Sequence, residues 1–215
     1  MLRARSLKRR RKLGETPGTD RLRLVVGLRN PGPGYEGSRH NAGYMVVSRV
    51  LERSGETPGR GPTRVRATIA SVGVGDYRVL YAVPSTYMNE SGQAVRSVLD
   101  YYSLSSDDLL VVHDDIDLAF GRLRLQMGGG SGGNNGVRSI ERALRTNDFS
   151  RLKFGVGRPP GGMDPADFVL RPFSIAERGE VEHIIEDAAD IVEAWPKDPV
   201  RAQEMAALRG RDPGA

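Results

Sequence analysis

The chain has 215 residues, which is enough for one domain with a full hydrophobic core. It contains no cysteine, which excludes disulfides and thiolate metal sites and fits a reducing, cytoplasmic location. No apolar run in the sequence approaches the length of a membrane span.

The net charge of +5 is unevenly distributed along the chain. Residues 1–20 hold seven Lys/Arg and two Asp/Glu, whereas residues 164–215 hold six Lys/Arg and twelve Asp/Glu. The segment between them is therefore basic. That segment permits a polyanionic partner, although scattered and solvated charge explains the same numbers equally well.

The first half of the chain begins with a tail and then alternates strands with helices. Residues 1–20 are basic and then rich in Gly, Pro and Thr, which predicts a disordered tail. Runs of β-forming residues predict strands, and apolar residues at helical spacing predict helices. In chain order they are a strand at Leu22–Leu28, a helix at His40–Arg53, a hairpin of Arg64–Val72 and Tyr77–Val83, and a helix at Glu90–Tyr102.

The second half places a glycine-rich run among short strands and ends in acidic helices. In chain order it has strands at Leu109–Val112 and Arg122–Gln126, the run Gly128–Gly136, a helix at Asn135–Leu144, a strand at Leu152–Val156, and helices at Ser174–Trp195 and Pro199–Leu208. Alternating strands and helices predict the α/β class, and the hairpin makes the sheet mixed. We therefore predict a single α/β domain over residues 21–215, with a mixed twisted sheet flanked by helices that are acidic from about residue 174.

Polar side chains stand where predicted strands end. Asn30 follows the first strand, Asn89 follows the hairpin, and Asp114 follows the strand at Leu109–Val112. If these strands are parallel neighbours, their loops converge on one cleft. In such a cleft, His40 and Asp114 would form a general-base pair that activates water. Asparagines could hold the water or a developing oxyanion.

Each of these features also has a simpler explanation. A lone loop histidine is more often structural or exposed, and asparagine in a Gly/Pro-rich loop usually serves a turn. The acidic run His113–Asp117 could instead hold Mg²⁺ beside phosphates. Familiar nucleotide and serine-nucleophile motifs are missing, since Pro33 follows GLRNPG and no G-x-S-x-G occurs. The amides of the glycine run could cradle a phosphate, or the run could be a flexible loop.

Four stretches, taken together and in this order, closely resemble bacterial peptidyl-tRNA hydrolases: VVGLRNPGPGYEGSRHNAG, PSTYMNESG, VVHDDIDLAFG and GGGSGGNNGVRSI. The resemblance covers about residues 22–195. It implies a single α/β domain that cleaves the ester between a peptide and the tRNA 3′ ribose, without a metal or other cofactor. The implied partner is the tRNA acceptor end with its attached peptide, and we expect a monomer that does not associate with membranes.

The resemblance assigns roles to five residues. His40, in SRHNAG, matches the catalytic base, and Asp114, in HDDID, matches the carboxylate that supports it. Asn30 matches the asparagine associated with sensing the blocked amino group. Asn89 matches the one that places water or the oxyanion, and Asn135 matches the one that helps to hold substrate and water.

Further positions match residues around the catalytic centre. Tyr35 and Tyr87 match residues that line the cleft for the tRNA end and the peptide, and Met88 is expected to wall it. Arg124 and Lys153 keep basic charge near positions that contact phosphates. The implied binding mode is recognition of an acceptor stem by shape and phosphates rather than by sequence.

The sequence departs from the family pattern at four positions. Arg29 replaces the usual glycine of GLGNPG, and Gln126 stands where a basic residue is common. Ser131 and Asn134 replace residues that are often histidine. These departures concern RNA contacts rather than the core chemistry.

Two other functions remain open at this point. One is a non-catalytic RNA-binding relative on the same fold, such as the organellar splicing cofactors. The other is a metal-dependent phosphoesterase that uses Asp114, Asp115 and Asp117. Hydrolysis of substrate separates the first from an enzyme, and sensitivity to a chelator separates the second from a metal-free hydrolase.

Overall fold

The computed structural model describes residues 21–209, so the predicted tail at 1–20 lies outside the described residues. The strands are β1 (Arg21–Gly27), β2 (Gly59–Arg60), β3 (Ala67–Val74), β4 (Tyr77–Pro84), β5 (Leu109–Asp115), β6 (Leu123–Met127) and β7 (Ser150–Gly155). They form one sheet in the order β2-β3-β4-β1-β5-β7-β6.

Four neighbouring strands of this sheet run in the same direction. β1 pairs in parallel with β4 on one side and with β5 on the other, and β5 pairs in parallel with β7. β2, β3 and β6 are antiparallel to their neighbours, which makes the sheet mixed. The carboxyl ends of β4, β1 and β5 therefore lie side by side, at the edge where α/β sheets bind ligands.

Helices cover both faces of the sheet. They are α1 (Ala42–Ser54), α2 (Ser91–Tyr102), α3 (Asn135–Leu144), α4 (Pro165–Leu170), α5 (Ile175–Ala194) and α6 (Pro199–Arg209). Apolar residues of α1, α5 and α6 form one hydrophobic core with the sheet, and those of α2 and α3 form a second core on the opposite face. Side chains of β1 alternate between the two cores, with Val25 in the first and Leu24 and Val26 in the second.

Two glycines let α1 lie directly on the sheet. A side chain at Gly43 would collide with the carbonyl oxygen of Val112, and a Cβ at Gly27 would lie 2.6 Å from the carbonyl oxygen of Gly43. Only glycine permits this close approach of helix and strand backbones. The approach seats the start of α1, and with it the turn that carries His40, against the carboxyl ends of β1 and β5.

The prediction of an α/β class with a mixed sheet flanked by helices is confirmed. The predicted strands and helices all occur; α3 has the predicted ends, and the ends of the other elements are shifted. Within residues 21–209, no helix is long and apolar enough to cross a membrane.

Several element boundaries differ from the prediction. β5 continues through Asp115 because its last three residues pair with β7, so Asp114 lies within the strand rather than after it. His40 lies in a short 3₁₀ turn, Arg39–Asn41, ahead of α1. β3 begins at Ala67 because Arg64 has a φ of 79°, which no strand residue adopts.

Two short elements were missed by the sequence analysis. β2 lies in a segment predicted as loop, and it forms only because it pairs with β3. α4 has a recognisable start, with Asp164 as N-cap and Pro165 in its first turn, but six residues are too few to show helical periodicity.

Candidate active site

A cleft of about 680 Å³ opens at the edge where the parallel strands end. The loops that follow β1 and β4 line it, together with the start of α3. α4 and the residue before it also line it. The residues that line it are Asn30, His40, Tyr87, Met88, Asn89, Asp114, Ile116, Gly132, Gly133, Asn134, Asn135, Asp164, Pro165, Ala166, Val169 and Leu170.

His40 and Asp114 form a buried pair at this cleft. Nδ1 of His40 lies 2.8 Å from Oδ1 of Asp114, and both residues are less than a tenth exposed. Because an ionised carboxylate only accepts hydrogen bonds, this contact places the ring proton on Nδ1. Nε2 is then the basic nitrogen that remains available to a reacting water.

The surroundings of His40 adjust its basicity in two opposite ways. Burial lowers the pKa of His40, but the charge of Asp114 and its hydrogen bond outweigh burial and raise the pKa above the ordinary value. A raised pKa makes the imidazole a stronger base. It also means that His40 must lose a proton before it can act as one.

Asn30 connects the loop after β1 to the loop after β4. Its Oδ1 accepts a hydrogen bond of 2.9 Å from the backbone N–H of Met88. Its own backbone N–H donates to Oδ1 of Asn41 at 2.8 Å, and Asn41 donates in return to the carbonyl oxygen of Asn30 at 3.1 Å. With Oδ1 held by Met88, the Nδ2 group is the end of Asn30 that a substrate can use.

Asn89 and Asn135 are two exposed residues of the cleft. Asn89 lies in a short 3₁₀ turn, Met88–Glu90, and Asn135 is the first residue of α3. Both line the cleft, and both are exposed. Their amides can therefore donate to a water or an oxyanion without first breaking an internal contact.

The sequence of the chain matches a known family of proteins. The peptidyl-tRNA hydrolase family model matches residues 24–213. The chain belongs to this family. It is 49% identical over 177 residues to a peptidyl-tRNA hydrolase of Frankia alni, covering 82% of this chain and 89% of that protein.

Other members of the family agree in sequence and in fold. A peptidyl-tRNA hydrolase of Pseudarthrobacter chlorophenolicus is 46% identical, with 85% of this chain and 93% of that protein covered. The crystal structure of peptidyl-tRNA hydrolase from Acinetobacter baumannii superposes with a TM-score of 0.80 at 30% identity, covering 90% of this chain and 97% of that one.

Of the further cleft residues expected for this family, the structure brings two to the site and leaves one aside. Tyr87 lines the cleft with 57% of its surface exposed, and Met88 lines it while almost fully buried. Tyr35 is not among the lining residues; its carbonyl oxygen accepts a hydrogen bond of 2.9 Å from Asn41. Tyr35 therefore helps to shape the loop that precedes His40.

The two expected phosphate contacts lie outside the cleft, on adjacent strands. Arg124 of β6 is exposed and lines a separate groove beside α6. Lys153 of β7 is its register partner, but its ammonium forms an ion pair of 2.8 Å with Asp115 and is mostly buried. The phosphate contacts of both residues therefore stay predictions, and Lys153 would have to share its ammonium with the acidic neighbour on β5.

Asn134 is a residue of the site whose importance the sequence analysis did not recognise. It is buried, and its Nδ2 donates to Oδ1 of Asp114 at 2.9 Å. The sequence marked Asn134 only as a departure from the family pattern. Its one local signal is its position as N-cap of α3, which is typical of asparagine.

Arg39 is a second residue that the sequence analysis did not single out. It is buried beside His40, and its guanidinium forms an ion pair with Glu177 in the first turn of α5. The same guanidinium lies over the ring of Phe168 in α4, 4.2 Å from the centroid, and over that of Phe173. No sequence signal links residues so far apart in the chain.

The acidic run at the end of β5 is divided among separate partners. Asp114 contacts His40 and Asn134, Asp115 pairs with Lys153, and Asp117 pairs with an exposed arginine. Across residues 21–209, no group of three or more His, Cys, Asp or Glu side chains is arranged to hold a metal ion. The described geometry gives the phosphoesterase alternative no support.

Proposed function

We propose that this chain hydrolyses the ester bond between peptide and tRNA in peptidyl-tRNA, with His40 as general base. The observation that carries the proposal is the buried His40–Asp114 pair in a cleft that Asn30, Asn89 and Asn135 also line. Membership of the peptidyl-tRNA hydrolase family supports the choice of substrate.

In the proposed reaction, Nε2 of His40 takes a proton from water while Nδ1–H remains bonded to Asp114. The resulting hydroxide attacks the ester carbonyl carbon and forms a tetrahedral intermediate. The exposed amide of Asn89 stabilises its oxyanion, and Asn135 helps to hold the water. The intermediate then expels the 3′ oxygen of the ribose, which takes the proton from the His40 imidazolium.

The cleft has a second task, which is to distinguish a blocked α-amino group from a free one. A blocked amine is a neutral amide, whereas a free amine is an ammonium that loses hydration on entering a partly buried site. Without a carboxylate to pair with it, that ammonium is disfavoured. The Nδ2 group of Asn30 offers a hydrogen bond to the amide form and nothing to the ammonium.

We also infer the conditions under which the chain works. All the proposed catalytic residues lie in the cleft of one chain, so we expect a monomer. The chemistry uses water and side chains alone, so we expect no dependence on a metal or organic cofactor. The tRNA acceptor end with its peptide is the expected partner, and the cytoplasm is the expected place of action.

The decisive experiment uses a tRNA charged with a labelled N-acetyl amino acid. We expect purified protein to release the labelled N-acetyl amino acid at an undiminished rate in the presence of EDTA. Binding of the tRNA without release would favour the non-catalytic RNA-binding alternative. Release that EDTA abolishes would favour a metal-dependent enzyme and overturn the proposed mechanism.

A further inference from the structure

Oδ1 of Asp114 accepts two hydrogen bonds from opposite sides. One comes from Nδ1 of His40 at 2.8 Å, and the other comes from Nδ2 of Asn134 at 2.9 Å. The same Nδ2 group also donates to the backbone carbonyl oxygen of Asp114 at 3.2 Å. Asn134 therefore contacts both the side chain and the main chain of the residue that orients the proposed base.

The orientation of the Asn134 amide is fixed from the other end. Its Oδ1 accepts hydrogen bonds from the backbone N–H groups of Gly136, at 3.0 Å, and Val137, at 3.1 Å, and so caps α3. Rotating the amide by half a turn would set its NH₂ group against those two donors and its oxygen against the carboxylate. Both contacts would be repulsive, so the N–H donor must face Asp114.

This arrangement ties two elements of the site together. The end of β5 supplies Asp114, and the first turn of α3 supplies Asn134 and the adjacent Asn135, which lines the cleft. A shift of α3 relative to β5 would lengthen the Asn134–Asp114 contact. The contact therefore sets the position of the α3 start against the proposed base.

We propose that Asn134 is a positioning residue for the reaction, one that fixes the Asp114 carboxylate beneath His40 and shares its charge. The inference rests on the proposed function, because it gives Asn134 a role in the reaction through Asp114. A hydrogen bond to a carboxylate oxygen stabilises the negative charge there. The hydrogen bond from Asn134 thereby weakens the electrostatic attraction between the Asp114 carboxylate and the His40 imidazolium.

An amide suits this role because it does not titrate. A histidine at this position would change charge near neutral pH. Asn134 presents the same N–H donor to Asp114 at every pH at which the protein is folded. The charge state of the Asp114 environment then depends on His40 itself and not on a second titrating ring.

Other charged groups lie near His40 and Asp114. They are Arg39 in the turn that carries His40, Asp164 in the lining of the cleft, and His113, Asp115 and Lys153 on β5 and β7. Asn134→Ser changes none of these charges and adds no new one. A change in the titration of His40 in that variant can therefore be assigned to the lost contact.

The test uses Asn134→Ser and Asn134→Asp. Serine is a good N-cap, so it still accepts a hydrogen bond from the backbone N–H groups at the start of α3. Its side chain is too short to donate to Asp114. Aspartate also caps α3, but it sets a carboxylate against Asp114 in place of the donor. We expect the pKa of His40 to rise by roughly 0.5 in the serine variant, and by more in the aspartate variant.

The chain has three histidines, so the titration can be followed by NMR without any substrate. Assignment is direct, because His40→Ala and His183→Ala each remove one signal. An unchanged pKa of His40 in folded Asn134→Ser protein would overturn the proposal, because only that variant removes the donor without adding a charge. This readout does not depend on activity, so failure of the proposed function is seen separately, as wild-type protein that releases no labelled amino acid.

If the wild type is active, steady-state kinetics provide a second test of the role of Asn134. We expect Asn134→Ser to lower kcat about 3- to 30-fold with little change in KM. The acid limb of the pH–rate profile should move to higher pH, because the pKa of His40 rises. Ser105→Ala is the control for lost stability alone, because Ser105 forms a capping box before β5, outside the cleft. An equal loss of kcat in that control, with no shift of the acid limb in Asn134→Ser, would mark Asn134 as merely structural.

Discussion

Arg39 donates two hydrogen bonds to the carboxylate of Glu177, at 2.7 and 3.0 Å, across 138 positions of the chain. The pair joins the turn that carries His40 to the first turn of α5. The Arg39 guanidinium also donates to the carbonyl oxygen of Pro172 at 2.8 Å. It therefore holds the segment that contains α4, and α4 forms one wall of the cleft.

This relationship predicts the effect of Arg39→Lys. Lysine keeps the charge, but it has no second nitrogen to bond the carbonyl oxygen of Pro172 while the first bonds Glu177, and it cannot stack on Phe168. We expect a rise in KM of about 3- to 10-fold, with kcat changed less, because the wall moves and the base stays in place. The measurement is steady-state hydrolysis of N-acetyl-aminoacyl-tRNA.

Arg53→Lys provides the matched control for this variant. Arg53 also joins α1 to α5 through ion pairs with Glu186 and Asp190, but it lies away from the cleft. We expect KM to remain within about 2-fold of the wild type, as surface ion pairs contribute little. A similar rise of KM in both variants would show that Arg39 has no particular effect on the cleft wall.

His40→Ala should remove the general base while leaving the fold intact. We expect kcat to fall by at least about 10³-fold, because the water then lacks its base and His113 is buried with a pKa lowered to about 4. Affinity for tRNA should change little. Single-turnover release and a binding measurement together check this result.

His183→Ala is the control, since His183 is exposed on α5. It should retain wild-type turnover. Near-normal turnover of folded His40→Ala protein would refute the proposed mechanism.

Asp114→Asn should slow the reaction and move its pH dependence. The Asp114 charge raises the pKa of His40 against the lowering effect of burial. Removing that charge therefore lowers the pKa, and the acid limb of the kcat/KM profile should move to lower pH. The maximum rate should fall, by about 10²- to 10⁴-fold, because the amide cannot stabilise the imidazolium. An acid limb at higher pH than in the wild type would contradict the pairing.

Asn30→Asp should narrow the preference for blocked over free aminoacyl-tRNA. The new carboxylate can keep the contact with the Met88 N–H and use its second oxygen to pair with an ammonium. We expect the ratio of kcat/KM values for N-acetylated and free substrates to fall at least about 10-fold. If the ratio stays unchanged in folded protein, Asn30 serves the turn and discrimination lies elsewhere.

His113 predicts a specific loss of stability in acid. Burial lowers its pKa to about 4, below the ordinary 6.5 of an unfolded chain. As the pH falls from 6.5 towards 4, the unfolded chain takes up a proton that the folded protein does not, and stability is lost. The expected loss from this residue is roughly 3 kcal/mol at most.

Asn is the appropriate replacement for His113, because its Nδ2 can still donate towards the carbonyl oxygen of Asp114. We expect denaturant unfolding of His113→Asn to show a shallower decline in stability between pH 6.5 and 4. His183→Asn, at an exposed site, should follow the wild-type curve. Parallel curves for all three proteins would show that His113 is not the acid-sensitive group.

The sequence by itself determined the class of fold and the family. The long apolar patterns of β1, α1, α2 and α5 were sufficient, because burial of a periodic face depends mainly on local residue order. The motif stretches also identified His40, Asp114 and three asparagines, all of which line the cleft. Their types and order along the chain carry that information.

Only the tertiary structure decided which groups contact one another. Asn134 meets Asp114 across 20 positions, and Lys153 meets Asp115 because β5 and β7 are paired in register. The sequence showed basic charge at Lys153 but not the carboxylate that pairs with it, for that reason. Strand order and register arise from packing of the whole chain, so no local pattern in the sequence specifies which side chains they bring together.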